Sequence, residues 1–369
     1  MAVPFIDLKK QYNSIKEEIN TQITKVFEGC NFIMGPNVAA FEKELAAYLG
    51  VKHVISCASG SDALLLSLMA AGIKEGDEVI TTPFTFFATV GAIARIGAIP
   101  VFADIDGRTF NLDAKSAISK ITSKTKAIIA VHLYGQPADM TKLAGAAAER
   151  GIALIEDCAQ AIGARYKDKP AATIGDIGCL SFFPTKNLGC YGDGGAVVTS
   201  NDELAEKLKI LRVHGAKPKY FHKYIGINSR LDEIQAAVLR VKLKYIDSWN
   251  ARRIEIAERY DELFKNVPGV TIPYKVPDAK HIYHQYAILV NNRDLVLQKL
   301  NEAKIGAGVY YPLAMHLQEC FKYLNYKPGD FAVCEKVCSQ ILSLPIYPEM
   351  SEIDINEVCE TVIKSLLEE

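Results

Sequence analysis

The chain has 369 residues, 49% of them hydrophobic, and a formal net charge of −1 at pH 7. This length suits one large α/β domain with a smaller second domain, and the balanced charge argues against nucleic acid or a membrane as the main partner. Nine scattered cysteines without a repeated Cys-x-x-Cys, and a start that lacks a signal peptide, indicate a reduced cytoplasmic protein with no metal site.

The first unit that bears on function is a strand, a short turn and a helix. After a helix over about residues 12–28, Asn37 is placed to cap a second helix. An apolar strand over residues 51–57 then ends in Ser59-Gly60-Ser61-Asp62, where a third helix begins. Free backbone N–H groups, hydroxyls and the positive end of a helix dipole can bind a phosphate there. Ordinary helix capping gives the same pattern, so the turn alone is a weak signal.

Aromatic residues follow the next predicted strand, Glu78 to Thr82. They lie in Pro83-Phe84-Thr85-Phe86-Phe87. Aromatic residues in such a place usually belong to the core, but they can also stack on a flat ring.

An acid stands at the end of a later strand. Apolar strands over residues 99–104, 125–131 and 152–157 alternate with helices, which predicts a parallel sheet covered on both faces. Ligands of such sheets bind at the carboxyl ends of the strands, where Asp157 lies. A buried aspartate is costly unless it meets a cation, so Asp157 is expected to have one as a partner.

Lys186 lies between an aromatic strand-like run and a loop with four glycines, within Ser181 to Gly195. The glycines permit positive φ and let a ligand come close to the backbone. A surface lysine in a hairpin would have the same surroundings in sequence.

The rest of the chain predicts a domain boundary. One long helix is expected over residues 234–260, and after Pro268 short strands and helices replace the regular alternation. We predict an N-terminal segment at 1–30 that packs with the small domain, a large domain at 31–247 and a small α+β domain at 248–369.

Three elements together indicate a cofactor. A phosphate-binding turn (Gly60, Ser61), a strand-end acid (Asp157) and a turn lysine (Lys186) are the parts that hold pyridoxal phosphate. Its phosphate suits a helix N-terminus, its ring nitrogen suits a carboxylate, and its aldehyde reacts with a lysine amine. A nicotinamide dehydrogenase is disfavoured, because no Gly-x-Gly-x-x-Gly follows the first strand.

The chain also resembles the DegT/DnrJ/EryC1/StrS sugar aminotransferases, within the aspartate-aminotransferase fold (fold type I of pyridoxal-phosphate enzymes). The matching stretches begin at Pro4-Phe5-Ile6-Asp7-Leu8 and cover essentially the whole chain. They include residues 59–64, 83–86, 156–160, 181–189 and 228–236. Dehydratases of this family carry a histidine in place of the lysine, so Lys186 favours transamination.

The resemblance implies roles for individual residues. Lys186 is the Schiff-base lysine and proton carrier, Asp157 pairs with the ring nitrogen, and Gln160 bonds the ring hydroxyl. Phe86, or else Phe84, stacks on the ring. The implied cofactor contacts are Gly60, Ser61, Asp62, Phe86, Asp157, Gln160, Ser181, Lys186 and Asn228. Asn228 is expected to reach the phosphate of a second subunit, which predicts a homodimer with shared active sites.

The resemblance further implies L-glutamate as amino donor and a nucleotide-linked keto sugar as acceptor. Residues 32–36, 190–195, 311–312 and 316–318 look similar to enzymes that act on UDP-linked 3-keto N-acetylglucosaminuronate for surface polysaccharide or O-antigen. The expected sugar contacts are Asn31, Tyr224, Arg230, Tyr310 and His316. Arg230 can hold a carboxylate bidentately, or it can be structural at a helix start.

Other functions remain open from the sequence. The acceptor can be a dTDP- or UDP-linked 3- or 4-keto-6-deoxy sugar. A pyridoxal-phosphate lyase or dehydratase that keeps its lysine has the same motifs, and relatives have been proposed as regulators. Retention of every cofactor-facing residue argues against a regulator.

Overall fold

The computed structural model of the chain describes residues 2–367. Its strands are β1 (His53–Cys57), β2 (Glu78–Thr81), β3 (Ile99–Phe102), β4 (Thr125–Val131), β5 (Ala153–Asp157), β6 (Arg165–Tyr166), β7 (Lys169–Pro170), β8 (Ile177–Ser181), β9 (Gly195–Thr199), β10 (Val270–Thr271), β11 (Ala279–Lys280), β12 (Tyr286–Val290) and β13 (Ile341–Leu344). Its α-helices are α1 (Leu8–Gly29), α2 (Pro36–Leu49), α3 (Gly60–Ala70), α4 (Phe87–Arg95), α5 (Ala114–Ser119), α6 (Met140–Arg150), α7 (Asp202–Leu211), α8 (Glu233–Leu243), α9 (Ile246–Phe264), α10 (Arg293–Glu302), α11 (Ala332–Gln340) and α12 (Glu352–Leu367). Short 3₁₀ helices cover Leu133–Gly135, Met315–Leu317 and Glu319–Leu324. Within residues 2–367, no helix has both the length and the apolar composition to cross a bilayer.

A seven-stranded sheet in the order β1-β9-β8-β5-β4-β2-β3 forms the centre of the large domain. β9 is antiparallel to both neighbours, and the other pairs are parallel. Successive β4 side chains serve opposite faces: Ile129 packs with the cluster of α3, α4 and α7, whereas Ile128 packs with that of α5 and α6. This confirms the predicted α/β architecture with a mostly parallel sheet buried on both faces.

The smaller domain is built on the antiparallel sheet β10-β12-β13. Side chains of α9, α10 and α12 cover it in a separate apolar cluster that includes Tyr260, Tyr286 and Val358. Val3 joins this cluster and pairs with Ile305. The helix α1, in contrast, packs against α8 through Ile15 and other apolar residues. The first turn of α1 also reaches the small domain, since Lys10 lies over the Tyr347 ring. The packing of the whole segment 1–30 against the small domain stays a prediction.

The predicted long helix over residues 234–260 is wrong, because the structure divides it into α8 and α9. Lys244 and Tyr245 separate the two helices, and their N–H groups bond to the carbonyls of Val241 and Lys242, three residues back. Because of this break, α8 packs on the large sheet together with Ile246 at the start of α9, whereas the C-terminal part of α9 packs on the small sheet.

The cap of α2 also differs from the prediction. The N-cap position is Gly35, and the carboxylate of the distant Glu233 accepts the N–H groups of Gly35, Asn37 and Val38. The Asn37 side chain instead accepts a hydrogen bond from Arg240 at 2.8 Å.

Candidate active site

A cavity of about 830 Å³ opens at the carboxyl ends of the parallel strands, between the large sheet and the small domain. Its volume lies within the range of small-molecule sites. Eight of the predicted site residues line it together: Gly60, Ser61, Phe86, Asp157, Gln160, Ser181, Lys186 and Tyr310.

The start of α3 forms one end of the cavity. Ser59 caps the helix, since its hydroxyl accepts the Asp62 N–H at 3.1 Å and its carbonyl accepts the Ala63 N–H at 2.9 Å. The N–H groups of Gly60 and Ser61 have no acceptor in residues 2–367. A Cβ on Gly60 would lie 2.6 Å from the Ser181 Cβ, so glycine allows the helix start to approach Ser181. Two unpaired N–H groups beside a hydroxyl make an anion site.

Asp157 lies deeper in the cavity and is 6% exposed. Its Oδ2 accepts the Thr89 hydroxyl at 2.8 Å, and its Oδ1 accepts the Ala159 N–H at 3.1 Å. The Thr89 hydroxyl is itself 2.9 Å from that of Thr85. These neutral donors fix the carboxylate without neutralising it, so it can still pair with a cationic N–H group.

Gln160 is held in one orientation beside Asp157. Its Oε1 accepts the Tyr134 N–H at 2.7 Å, and its Nε2 donates to the Tyr311 hydroxyl at 3.3 Å. Burial raises the pKa of Tyr311, which therefore stays protonated at neutral pH. The amide and the phenol can both act as hydrogen-bond donors toward a ligand.

Lys186 is half-buried in the cavity wall. Its Nζ makes no hydrogen bond within the described part of the chain. Burial lowers the pKa of Lys186 to about 8, and the charge of Asp157 opposes this shift only in part. A substantial fraction of the amine is therefore neutral and nucleophilic near physiological pH.

The two phenylalanines proposed for stacking occupy different environments. Phe86 lines the cavity and is 57% exposed, whereas Phe84 is fully buried among Phe110, Tyr134 and Tyr311. The placement supports Phe86 for stacking and assigns Phe84 to the core.

Six predicted site residues lie outside the cavity of a single chain, and His316 is one of them. The carboxylate of Asp62 accepts the Ser229 hydroxyl at 2.7 Å. Asn228 and Asn31 are exposed, and Tyr224 and Arg230 are half-buried. Their contacts with cofactor or sugar stay predictions.

His316 lies behind the cavity wall rather than in it. It is 2% exposed and packs against Phe102, Tyr326 and Phe331. Its Nε2 is 3.2 Å from the Glu335 carboxylate. The structure thus gives His316 a packing position, and its geometry does not support the predicted sugar contact.

The sequence did not reveal several residues that line the cavity. His284 precedes β12, Arg253 lies in α9, and Tyr311 belongs to the motif at 311–312, which gives it no separate role. A histidine before a strand and an arginine within a helix have no local pattern that marks a site. Only their packing against the other domain brings them there.

One cluster, His132, Glu156 and Cys158, has the composition of a metal site. His132 accepts the Ala138 N–H at Nδ1, so its Nε2–H donates to Glu156 at 2.8 Å. Glu156 also accepts the N–H groups of Ala172, Ile174 and Gly175. Because the Glu156 carboxylate already accepts these four hydrogen bonds, we interpret the cluster as one that stabilises the loops around it.

The described cavity fits pyridoxal phosphate. The unpaired N–H groups at α3 suit its phosphate, the buried Asp157 carboxylate suits a protonated ring nitrogen, and the Lys186 amine suits its aldehyde. Each group is on a different element, and the fold brings all of them to one sheet edge.

Comparison with known sequences gives a consistent result. Residues 13–363 match the DegT/DnrJ/EryC1/StrS aminotransferase family. The chain is 49% identical over 364 residues to the "pleiotropic regulatory protein" of Geobacillus stearothermophilus, with 98% of each chain covered. It is 42% identical over 357 residues to the UDP-2-acetamido-2-deoxy-3-oxo-D-glucuronate aminotransferase of Pseudomonas aeruginosa, with 97% of this chain and 98% of the relative covered. It is 39% identical over 360 residues to the dTDP-3-amino-3,4,6-trideoxy-α-D-glucose transaminase of Streptomyces venezuelae, with 98% and 95% covered.

Solved structures agree with the sequence relatives. S. venezuelae DesV superposes with a TM-score of 0.96 at 39% identity over 98% of each chain. NtdA of Bacillus subtilis, with bound cofactor PMP, superposes with a TM-score of 0.93 at 34% identity over 99% of this chain and 85% of that one. These findings confirm the predicted fold and the predicted cofactor. The chain is a pyridoxal-phosphate-dependent aminotransferase and belongs to the DegT/DnrJ/EryC1/StrS aminotransferase family.

Proposed function

We propose that the protein transfers the amino group of L-glutamate to a nucleotide-linked keto sugar in the cytoplasm. The observation that carries this proposal is the joint position of Lys186, Asp157 and the start of α3 in one cavity. The cytoplasmic location is supported by nine cysteines that are all free thiols.

The side chains have distinct tasks in this reaction. Bound pyridoxal phosphate supplies an aldehyde that accepts the amino group and a ring that withdraws electrons from the substrate carbon. Asp157 keeps the ring nitrogen protonated, and the start of α3 with Ser181 binds the phosphate. With a pKa of about 8, the Lys186 Nζ can take a proton at one carbon and return it at another.

The acceptor that we propose is UDP-2-acetamido-2-deoxy-3-keto-glucuronate, with a 3-amino sugar as product for surface polysaccharide or O-antigen. The Pseudomonas aeruginosa relative named for this sugar supports the proposal. The similarly related dTDP-sugar transaminase supports a second candidate, a dTDP-linked keto-deoxy sugar. One relative is named as a regulatory protein. The intact catalytic groups of this chain argue against a regulatory role without catalysis.

We further propose a homodimer in which each subunit completes the site of the other. The predicted contacts Asn31, Tyr224, Asn228 and Arg230 do not line the cavity of their own chain. Asn228 is exposed on a segment that pairs with Val213, so it can be presented to a neighbour.

The donor is tested with the purified holoenzyme and single amino acids. L-Glutamate should remove the visible absorbance of the bound aldehyde form and leave pyridoxamine phosphate and 2-oxoglutarate. If another amino acid has this effect and L-glutamate does not, the proposed donor is wrong.

The acceptor is tested with the enzyme in its amino form. Nucleotide-linked keto sugars are added one at a time, and the return of the visible band is followed. The UDP-linked 3-keto uronate should act fastest, and faster restoration by a dTDP-linked sugar would replace it as the substrate.

The shared site is tested by mixing two inactive variants, Lys186→Ala and Asn228→Asp. Random mixed dimers should restore about one quarter of wild-type activity, since half of the dimers are mixed and each holds one intact site. No recovery in verified mixed dimers, or an active monomer, contradicts the proposal.

A further inference from the structure

The cavity contains a second cation that has no task in the cofactor site. Among the described residues that line it, Lys186 and Arg253 are the only lysine or arginine. Lys186 reacts with the cofactor, so Arg253 supplies the one permanent positive charge that this chain leaves for a substrate.

The guanidinium of Arg253 is fixed from one side. The residue lies in α9 and is 3% exposed. Its Nη1 donates to the carbonyls of Ile346 at 2.7 Å, Tyr283 at 3.2 Å and His284 at 3.4 Å. These acceptors are neutral, so they hold the group in place and leave its charge uncompensated.

The other side of the guanidinium is available. Nε and Nη2 have no acceptor in residues 2–367, and the residue lines the cavity. Glu349 is the acid whose charge acts on Arg253, and no ion pair joins the two among the described residues. A rigid fork with free N–H groups at a cavity wall matches the geometry of a carboxylate.

The charges of this arginine and of the reacting lysine both act on His284. The Asn187 amide donates to Asn250 at 2.7 Å, so its Oδ1 accepts the His284 Nδ1–H at 3.0 Å. Burial and the charges of Lys186 and Arg253 hold the pKa of His284 well below its ordinary value. The neutral histidine therefore adds no third positive charge to this wall of the cavity.

We infer that Arg253 binds a carboxylate of the substrate. This inference rests on the proposed function, in which L-glutamate has two carboxylates and the uronate acceptor has one. The shared chemistry is a carboxylate held by the Nε and Nη2 side of the guanidinium, and the two sources are separable by experiment.

The experiment uses holoenzyme with Arg253→Gln, Arg253→Lys and the control Arg252→Gln. Arg252 precedes Arg253 in α9 and also donates to a backbone carbonyl, that of Met350, but it does not line the cavity. Single-turnover absorbance gives the apparent dissociation constant for L-glutamate, and the unreactive dicarboxylate glutarate is tested as a competitor. The amino form is then mixed with the UDP-linked 3-keto uronate and with the matching 3-keto sugar that has no carboxylate.

We expect Arg253→Gln to raise the apparent constant of the carboxylate substrate and of glutarate about 10- to 100-fold. Arg253→Lys should have a smaller effect, and Arg252→Gln should match wild type. A selective loss with L-glutamate assigns the amino donor, and a selective loss with the uronate assigns the acceptor.

Two results overturn the inference. One is an unchanged constant for both carboxylate substrates. The other is an equal loss with the carboxylate-free sugar, together with weaker cofactor binding, which indicates a structural arginine. If Arg253→Gln does not fold, Arg253→Lys decides by the same comparison. Failure of the proposed function is distinct, because wild type would then not respond to any amino acid.

Discussion

Two lysines of this protein, the half-buried Lys186 and the buried Lys242, have a pKa lowered to about 8, yet their surroundings differ. Lys186 lines the cavity near Asp157, and its amine makes no hydrogen bond within residues 2–367. Lys242 in α8 is 1% exposed, donates to the Gly189 carbonyl at 2.7 Å, and lies 4.3 Å from the centre of the Tyr191 ring. Burial is the main cause of the lowered pKa in both, so the pKa does not identify the reactive lysine. The hydrogen-bonding partners do.

The two lysines are also connected along the chain. Lys242 fixes Gly189, three residues after Lys186, and Gln235 fixes Tyr191 by accepting its N–H at 2.8 Å. A cation satisfied by a carbonyl and an aromatic face stabilises a loop. A cation without such partners is available for chemistry.

The largest expected effect comes from removal of the reactive lysine. Lys186→Ala should lower transamination by at least about 1,000-fold, because it removes both the nucleophile and the proton carrier. Borohydride reduction of wild-type holoenzyme, followed by peptide mass spectrometry, should find the cofactor on the peptide with Lys186. Lys242→Met is the matched control and should keep this adduct. If the cofactor were found on the peptide with Lys242 instead, Lys242 would be the reactive lysine.

The second-largest expected effect concerns Asp157, the acid near Lys186. Asp157→Asn should reduce the rate of the half-reaction with L-glutamate about 100- to 1,000-fold, because a neutral amide does not keep the ring nitrogen protonated. It should lower the free energy of unfolding by only about 1–2 kcal/mol, through the weaker bond to Thr89. Stopped-flow absorbance and urea unfolding of the same preparation measure both. If the loss in the free energy of unfolding were large enough to explain the slower half-reaction, Asp157 would be a structural residue.

The sequence predicted those parts of the fold and site that have a local signal. Apolar strands alternating with helices indicated the covered sheet, and the strand ends placed Asp157 and the start of α3 at one edge. A glycine-rich turn and a family motif surround Lys186 and mark it in the sequence. Each of these inferences needs only neighbouring residues and the general rule for ligands of parallel sheets.

The features that the sequence did not reveal depend on distant contacts. Glu233 caps α2 from almost two hundred residues away, whereas the residues next to the helix offer Asn37 as the cap. The break before α9 follows from packing against two sheets, although the helical periodicity continues through it. Arg253 and His284 reach the cavity only because the small domain packs on the large one.

A smaller effect tests Lys242 through the pH dependence of stability. Its folded pKa of about 8 lies below the ordinary 10.5, so between these values the unfolded chain binds more protons and stability rises with pH. In wild-type apoprotein relative to Lys242→Met, the free energy of unfolding should therefore rise by about 3 kcal/mol between pH 8 and 10.5. Urea unfolding at several pH values measures the difference.

The difference between variants removes the contribution of the tyrosines, which titrate in both proteins. Lys244→Met is the control, because Lys244 is exposed and paired with Glu18 at the surface. It should show no such rise. A flat difference for Lys242→Met would mean that the buried amine has an ordinary pKa.

The smallest effect concerns the rate at which apoprotein captures pyridoxal phosphate, and it titrates Lys186 directly. Only the neutral amine attacks the aldehyde, so a pKa of about 8 predicts a rise of about tenfold between pH 7 and 9 that then levels off. An amine with the ordinary pKa of 10.5 would instead gain about 100-fold and continue to rise. Nα-Acetyl-lysine measured in parallel corrects for ionisation of the cofactor itself.

The control is Lys242→Met, which should keep the midpoint of this pH dependence. The Lys242 amine that it removes faces the Gly189 carbonyl and not the cavity. If the midpoint of this pH dependence differed between wild type and Lys242→Met, the two lysines would titrate together.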